Sequence, residues 1–199
     1  MRNENVLSLT DIKSVARAKA KELRQKVHLR ISNEASHKIS KYIEEFINDR
    51  EEFKVIAVYM PIQSEIDIRP VLSKIRKLEK IVCLPVIVSN NQPLIFKVWN
   101  ENSKLFEGDF RVLVPESSKI VEPDLILCPM LSFDIRGHRL GYGGGFYDRT
   151  FCNLAKKKVF YSLGCAYSEQ ASKTDLPIGK YDKPLDAVAT ENGLIFFNS

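Results

Sequence analysis

Gly137-His138-Arg139-Leu140-Gly141-Tyr142-Gly143-Gly144-Gly145-Phe146-Tyr147-Asp148-Arg149 carries the strongest local signal in the chain. Four of the nine glycines stand at positions 141–145. Glycine lacks Cβ, so its backbone reaches φ > 0 and lets a ligand come close. Consecutive amides in such a loop can turn inward as an anion-binding nest. Arg139 and Arg149 flank the loop with fixed positive charge, and Asp148 closes it with a carboxylate. This combination points to a polyphosphate and its metal. A plain turn is the other reading of a glycine cluster. The aromatic and charged residues mixed into the run argue against a flexible linker.

On either side of the loop the pattern changes period. Asp124-Leu-Ile-Leu-Cys128 reads as a buried strand ended by Pro129, and residues 146–154 read as a helix. Strand, glycine loop and helix in that order aim loop amides and the positive end of a helix dipole at one anion. Upstream, residues 53–60 read as a strand. Its continuous run Val55-Ile56-Ala57-Val58 suits a parallel sheet covered on both faces. The loop Pro61-Ile62-Gln63-Ser64-Glu65 follows the carboxyl end of that strand, where ligands bind in open α/β sheets. Asp67 and Pro70 read as the N-cap and first turn of a helix to about residue 78, which leaves Glu65 without a capping role. Further strands are expected at 81–85, 94–99, 158–166 and 194–197. Residues 100–122 are polar and turn-rich, with a few apolar residues at 110–114, and receive no element. Strands alternating with helices predict an α/β fold, a three-layer α/β/α domain with a mainly parallel sheet. Right-handed crossovers put the Glu65 loop and the glycine loop at one sheet edge.

Residues 11–30 read as a basic amphipathic helix packing on that domain. Ile12, Val15, Ala16, Ala20, Leu23 and Val27 recur at spacings of three and four, and Thr10 is the expected N-cap. Lys13, Arg17 and Arg24 fall within roughly 40° of one another, with His28 close to the same line. Such a stripe is a solvated face or a phosphate contact, and the residues leave both open. Ser32 or Asn33 would cap a second helix, with Ile39, Tyr42, Ile43, Phe46 and Ile47 turned inward.

The whole chain has 199 residues, which suits one domain spanning 1–199. A chain of this size buries roughly 70% of its unfolded surface and needs no staples. The net charge of +5 fits an anionic ligand and is too weak to argue for nucleic acid. Cys83, Cys128, Cys152 and Cys165 form no C-x-x-C pair and read as buried free thiols in a reducing compartment. No run spans a bilayer, and the N-terminus has no apolar signal core; Glu4, Asp11 and Glu22 count against a transit peptide. The expectation is a cytoplasmic monomer with no nucleic-acid or membrane partner.

No Walker A motif closes the glycine loop, and Phe146 stands where a Rossmann fingerprint needs its third glycine. Kinase catalytic-loop motifs are absent as well. Phe133-Asp134-x-x-Gly137-x-Arg139-Leu140-Gly141-x-Gly143-x-Gly145-Phe146-Tyr147-Asp148 resembles instead the signature of the 5-formyltetrahydrofolate cyclo-ligases, or methenyltetrahydrofolate synthetases. Met60-Pro61-x-x-x-Glu65-Ile66 and the late Asp182…Asp186-Ala-Val-Ala-Thr190-Glu191 extend the resemblance over most of the chain.

The resemblance implies conversion of 5-formyltetrahydrofolate to 5,10-methenyltetrahydrofolate, with ATP as co-substrate and Mg²⁺ as cofactor, through a phosphorylated formyl group. It places Arg139, Leu140, Gly141, Tyr142, Gly143, Gly144, Gly145, Phe146 and Tyr147 around the ATP phosphates. Tyr142, Gly143, Gly144, Gly145 and Phe146 would also touch the folate. Asp148 and Asp182 would hold Mg²⁺, Met60 would pack on the pterin, and Glu65 would accept from its ring N–H groups. Lys13-Ser-Val-Ala16-Arg17 is nearest to the family's N-terminal Lys-x-x-Leu-Arg pattern, with Leu23-Arg24 as a competing register, so Lys13, Arg17 and Arg24 are all candidates at the phosphates. Tyr142 stands where many members carry Arg or Lys. From the residues alone Met60 is equally a core residue at a strand end, and capping a turn is the favoured reading of Asp182 and Asp186 over a metal site. Two other functions compete: a sugar-phosphate isomerase with Glu65 as base, and a basic RNA-binding module using the first helix.

Overall fold

The computed structural model describes residues 8–108 and 112–197. The first seven residues, where a leader was sought, and part of the 110–114 stretch lie outside them. The chain opens with a single 40-residue helix, α1 (Leu9–Asn48). Ser8, not Thr10, is its N-cap: the Ser8 hydroxyl accepts from the Asp11 amide at 3.2 Å, and the Asp11 carboxylate accepts from the Ser8 amide at 3.3 Å. No Gly or Pro interrupts positions 9–48, so Ser32 and Asn33, expected at a break, sit inside a continuous helix.

The two halves of α1 face the body differently. The C-terminal half buries Ile39, Ile43, Phe46 and Ile47. Each such burial stabilises by about 1.5–3 kcal/mol. The N-terminal half leaves Ile12, Val15 and Leu23 exposed, while Arg24 has no exposed surface. Of the expected apolar stripe only Val27 is fully buried, while the cationic stripe turns toward the domain. This departs from the expectation drawn from hydrophobic periodicity.

After α1 come β1 (Val55–Ala57), a 3₁₀ turn (Arg69–Val71) that continues into α2 (Leu72–Lys77), and β2 (Ile81–Val86). The Asp67 carboxylate accepts from the Arg69 amide at 2.9 Å, so it organises the turn that precedes α2. Then follow β3 (Ile95–Val98), β4 (Leu105–Glu107), β5 (Leu113–Pro115), β6 (Ile120–Val121), β7 (Leu125–Pro129), β8 (Ser132–Phe133) and β9 (Arg139–Leu140). Last are α3 (Phe146–Leu154), β10 (Tyr161–Cys165), a 3₁₀ turn (Ser168–Gln170), β11 (Ala187–Thr190) and β12 (Gly193–Phe196). Strands 4 to 6 fall in the segment that received no element. Among the described residues no helix lies between β2 and β7, so strands and helices do not alternate throughout.

The main sheet has eight strands in the order β12-β11-β10-β7-β1-β2-β3-β6. The five central strands, β11 to β2, are parallel; β12 on one edge and β3 on the other run against them, and β6, antiparallel to β3, runs with the central strands again. Alternation along the strands divides the core into two layers. Ile56, Leu125, Leu127 and Leu163 pack with α1 and α2, whereas Ala57, Ile126, Cys128 and Val188 pack with Phe151 and Leu154 of α3. This is the expected α/β/α arrangement. Cys83, Cys128 and Cys165 are buried free thiols, but Cys152 is exposed on α3, contrary to expectation. Among the described residues no helix is long and apolar enough to cross a membrane.

The topology fixes where a ligand can bind. The chain leaves β1 through α2 on one face and reaches β2; it leaves β7 through α3 on the other face and reaches β10. β1 and β7 are direct parallel neighbours. Their connections diverge to opposite faces, which opens a crevice beyond their carboxyl ends. The Glu65 loop follows β1 and the glycine loop follows β7.

Candidate active site

The β8–β9 hairpin carries the chain from β7 to the glycine loop. Asp134 organises its turn: one carboxylate oxygen accepts from the Arg136 and His138 amides at 3.0 Å each, and the other from the Leu176 amide at 3.0 Å. Gly137 has φ +78, and a Cβ there would stand 2.9 Å from the Leu185 carbonyl oxygen. The Phe133-Asp134-x-x-Gly137 part of the signature is therefore turn chemistry.

The loop beyond β9 is held open from outside. Gly143 (φ +103) and Gly145 (φ +66) occupy the left-handed region, and Gly145 is the N-cap of α3, with no side chain to cover it. Arg149 braces the loop: its terminal nitrogen donates to the Gly144 carbonyl at 2.8 Å and to Asn90 at 2.9 Å. Arg17 donates to the Gly141 carbonyl at 3.1 Å, and its guanidinium carbon would lie 3.1 Å from a Cβ on Gly143. A Cβ on Gly141 meets nothing within 4 Å, so the space beside that glycine is open.

Two ion pairs stand at the far end of the loop. Arg139 donates to Asp148 at 2.7 Å and to the Lys183 carbonyl at 2.7 Å. Its guanidinium lies 4.6 Å from the centre of the Phe151 ring. Lys13 reaches from α1 to Asp182. The Lys183 amide donates to Asp148 at 3.1 Å, so the Asp182–Lys183 backbone lies against Asp148. Burial pushes the Asp182 carboxyl up, but the Lys13 ammonium and the Gly179 amide together hold it below the usual range. Among the described residues, Asp148 Oδ2 and Asp182 Oδ1 accept no protein hydrogen bond. No group of three metal-ligating side chains converges among them either. Two hard carboxylate ligands, completed by phosphate oxygens and water, are a donor set that suits Mg²⁺. Asp186, in the same late motif, instead accepts from the Ser162 amide and hydroxyl at 2.7 and 2.6 Å and joins two strands.

Across the crevice Glu65 is 4% exposed. Its Oε2 accepts from the Ile62 amide at 3.0 Å. Burial pushes its carboxyl up to about 7, against the Ile62 amide, the Arg24 charge and the Tyr142 hydroxyl, which pull it down. Met60 is half-buried and packs on the core beneath α1. Tyr142 is 44% exposed and Arg24 donates to its hydroxyl. Arg24 itself, a candidate for the phosphates, is buried and bonded to protein oxygens. Of the three helix cations, Lys13 and Arg17 lie along the glycine loop and Arg24 lies beneath it. Ser64 and the Met130 carbonyl, both partners of Arg24, were not singled out from sequence. Nothing local to α1 points to a partner 40 or 106 residues away.

Comparison with known proteins gives the family and the fold. The model of the 5-formyltetrahydrofolate cyclo-ligase family matches residues 10–191. The 5-formyltetrahydrofolate cyclo-ligase of Escherichia coli K12 is 33% identical over 144 residues, covering 68% of this chain and 76% of that protein. The Mycoplasma genitalium protein of the same name is 29% identical over 183 residues, covering 91% and 94%. A 5,10-methenyltetrahydrofolate synthetase structure from Mycoplasma pneumoniae superposes with TM-score 0.73 at 22% identity, covering 90% of this chain and 98% of that one. An Aquifex aeolicus 5,10-methenyltetrahydrofolate synthetase gives 0.67 at 29% identity, covering 90% and 93%.

Proposed function

The chain belongs to the 5-formyltetrahydrofolate cyclo-ligase family, and from that premise we propose that it converts 5-formyltetrahydrofolate to 5,10-methenyltetrahydrofolate with Mg·ATP, releasing ADP and phosphate. It is an enzyme of that class. The observation that carries the proposal is the shared crevice: a buried carboxylate on one strand-end loop faces a glycine loop on the neighbouring one, and Tyr142 belongs to both sides.

In this reading the formyl oxygen attacks the γ-phosphorus and ADP departs. N10 then attacks the activated carbon, the former formyl oxygen leaves with phosphate, and N10 gives up its proton. An amide oxygen is a poor leaving group and a phosphate ester a good one. Phosphoryl transfer asks the protein mainly for alignment and charge neutralisation. Lys13, Arg17, Arg139 and the amides from Leu140 through Tyr147 hold the phosphates. Glu65 accepts from the pterin N–H groups, Met60 packs on the ring, and Tyr142, Gly143, Gly144, Gly145 and Phe146 line the junction. Asp148 and Asp182 hold Mg²⁺, which when bound neutralises charge on the transferring phosphoryl group. The reading is completed by a single domain acting as a cytoplasmic monomer. The inward turn of Lys13, Arg17 and Arg24 takes from the surface the stripe on which the RNA-binding reading rests. Two carboxylates beside the glycine loop suit a metal-bound polyphosphate better than an isomerase's monophosphate.

The test is spectroscopic. Protein, ATP, Mg²⁺ and 5-formyltetrahydrofolate should generate the methenyl chromophore, and omission of ATP should abolish it. No absorbance change with active folate and metal, or turnover of a sugar phosphate without ATP, overturns the reading.

A further inference from the structure

We propose that Arg24 is a positioning residue for the folate, fixing Glu65 and Tyr142 in place, and that it takes no part in holding the phosphates. The inference rests on the reading of Glu65 as a folate contact. Arg24 is the largest fully buried side chain among the described residues. Its Nε donates to the Ser64 hydroxyl at 3.1 Å, one terminal nitrogen to the Met130 carbonyl at 3.1 Å, and the other to the Tyr142 hydroxyl. Each of its three nitrogens is thus bonded to a protein oxygen. The guanidinium also lies 5.3 Å from the centre of the Tyr142 ring. One side chain of α1 thereby ties together the loop after β1, the end of β7 and the glycine loop. A planar fork with fixed donor directions can do this, and a lysine cannot.

The same guanidinium stands 3.9 Å from Glu65 Oε1. The other groups facing Glu65 are the Ile62 amide on its own loop, Tyr142 on the glycine loop, Tyr59 beyond β1 and Tyr147 on α3. Tyr59 is buried and Tyr147 half-buried, and desolvation pushes both phenols well up, so they stay neutral. Among the described residues Arg24 is the charged side chain that acts on Glu65. An ionised carboxylate accepts from two N–H groups at once; a protonated one turns an acceptor into a donor. Burial favours the protonated form, and Arg24 opposes it. Loss of the Arg24 charge therefore moves the ionisation of Glu65, and the acid limb of folate binding, to higher pH.

Equilibrium binding of 5-formyltetrahydrofolate and of Mg·ATP, each alone and across neutral pH, tests this on Arg24→Gln, Arg24→Lys, Tyr142→Phe and Glu65→Gln. Arg24→Gln should weaken folate roughly tenfold at neutral pH and change ATP by less than about twofold. Its folate midpoint should move to higher pH. Arg24→Lys should restore the midpoint but not the full affinity, because charge returns without the fork. Tyr142→Phe removes a half-exposed hydroxyl and should weaken folate a few-fold with ATP unchanged. Weakened ATP binding with folate unaffected, or both affinities unchanged, overturns the proposal. If Arg24→Gln does not fold, Arg24→Lys and Tyr142→Phe decide it on the same two affinities. Unchanged folate affinity in Glu65→Gln is a different failure: it removes folate from the Glu65 loop altogether.

Discussion

Glu65 is a carboxylate kept where its charge is costly. Its ordinary pKa of 4.5 is pushed up to about 7. The folded state therefore retains a proton that the unfolded state releases over that interval. Stability from this group is greatest below the lower value and falls as pH rises to the upper one, by about 3 kcal/mol in all. Denaturant unfolding of Glu65→Gln against the parent should give a stability difference that grows in the variant's favour between those two pH values and then levels. A difference independent of pH contradicts the account. At the other end of the site, Asp148 neutralises Arg139 and is the proposed metal ligand. Asp148→Asn should weaken Mg·ATP roughly tenfold, and should leave metal-free ATP unchanged or tighter, because Arg139 loses its internal partner. Calorimetry with and without Mg²⁺ separates the two. Equal losses in both titrations mean that Asp148 only supports the loop. Glu65 is legible in the sequence because Asp67 takes the turn before α2 and leaves it without a capping role there. The burial of Arg24 is not legible, since its partners lie 40, 106 and 118 residues away.

Two elements differ in how far local pattern describes them. The glycine loop reads correctly as a strand-to-helix passage because turn chemistry is local: φ > 0 at Gly137, Gly143 and Gly145 is a demand on single residues. Its glycines nevertheless answer to different causes. Gly141→Ala enters open space in an ordinary conformation, so the melting temperature should hold while the ATP requirement rises. Gly143→Ala strains a left-handed residue and presses on Arg17, so it should destabilise by about 1 kcal/mol or more and also raise the ATP requirement. Thermal melts paired with ATP titrations check both; equal stability loss in the two variants contradicts the distinction. Helix α1 is the opposite case. Its apolar period leaves Ile12, Val15 and Leu23 outside and only Val27 buried, because Asp182, the Gly141 carbonyl and the Met130 carbonyl draw the cations inward. Ser32 and Asn33 look like caps, yet nothing breaks the backbone there. Asn33→Ala consequently should stabilise the protein by a few tenths of a kcal/mol, since alanine is the better helix former. Were Asn33 an N-cap, the same change would cost about 1 kcal/mol.

At the scale of the whole molecule, the carboxyl ends of β1 and β7 bring the two loops together, and both strands announce themselves as continuous apolar runs. That much of the fold follows from residues near each strand. The far edge does not: β4, β5 and β6 are two or three residues long, and their pairing depends on neighbours rather than on period. The resulting crevice has a glycine-loop end and a buried-carboxylate end, with Tyr142 between them. The central claim is that one chain uses this crevice to transfer a phosphoryl group onto the formyl oxygen. The most direct measurement follows an isotopic label in that oxygen. 5-Formyltetrahydrofolate labelled with heavy oxygen in its formyl group is turned over with unlabelled ATP and Mg²⁺, and the phosphate is analysed by mass spectrometry. The account predicts one labelled oxygen in each phosphate released, matched by one methenyl product. Unlabelled phosphate, or methenyl product formed without phosphate release, would contradict it.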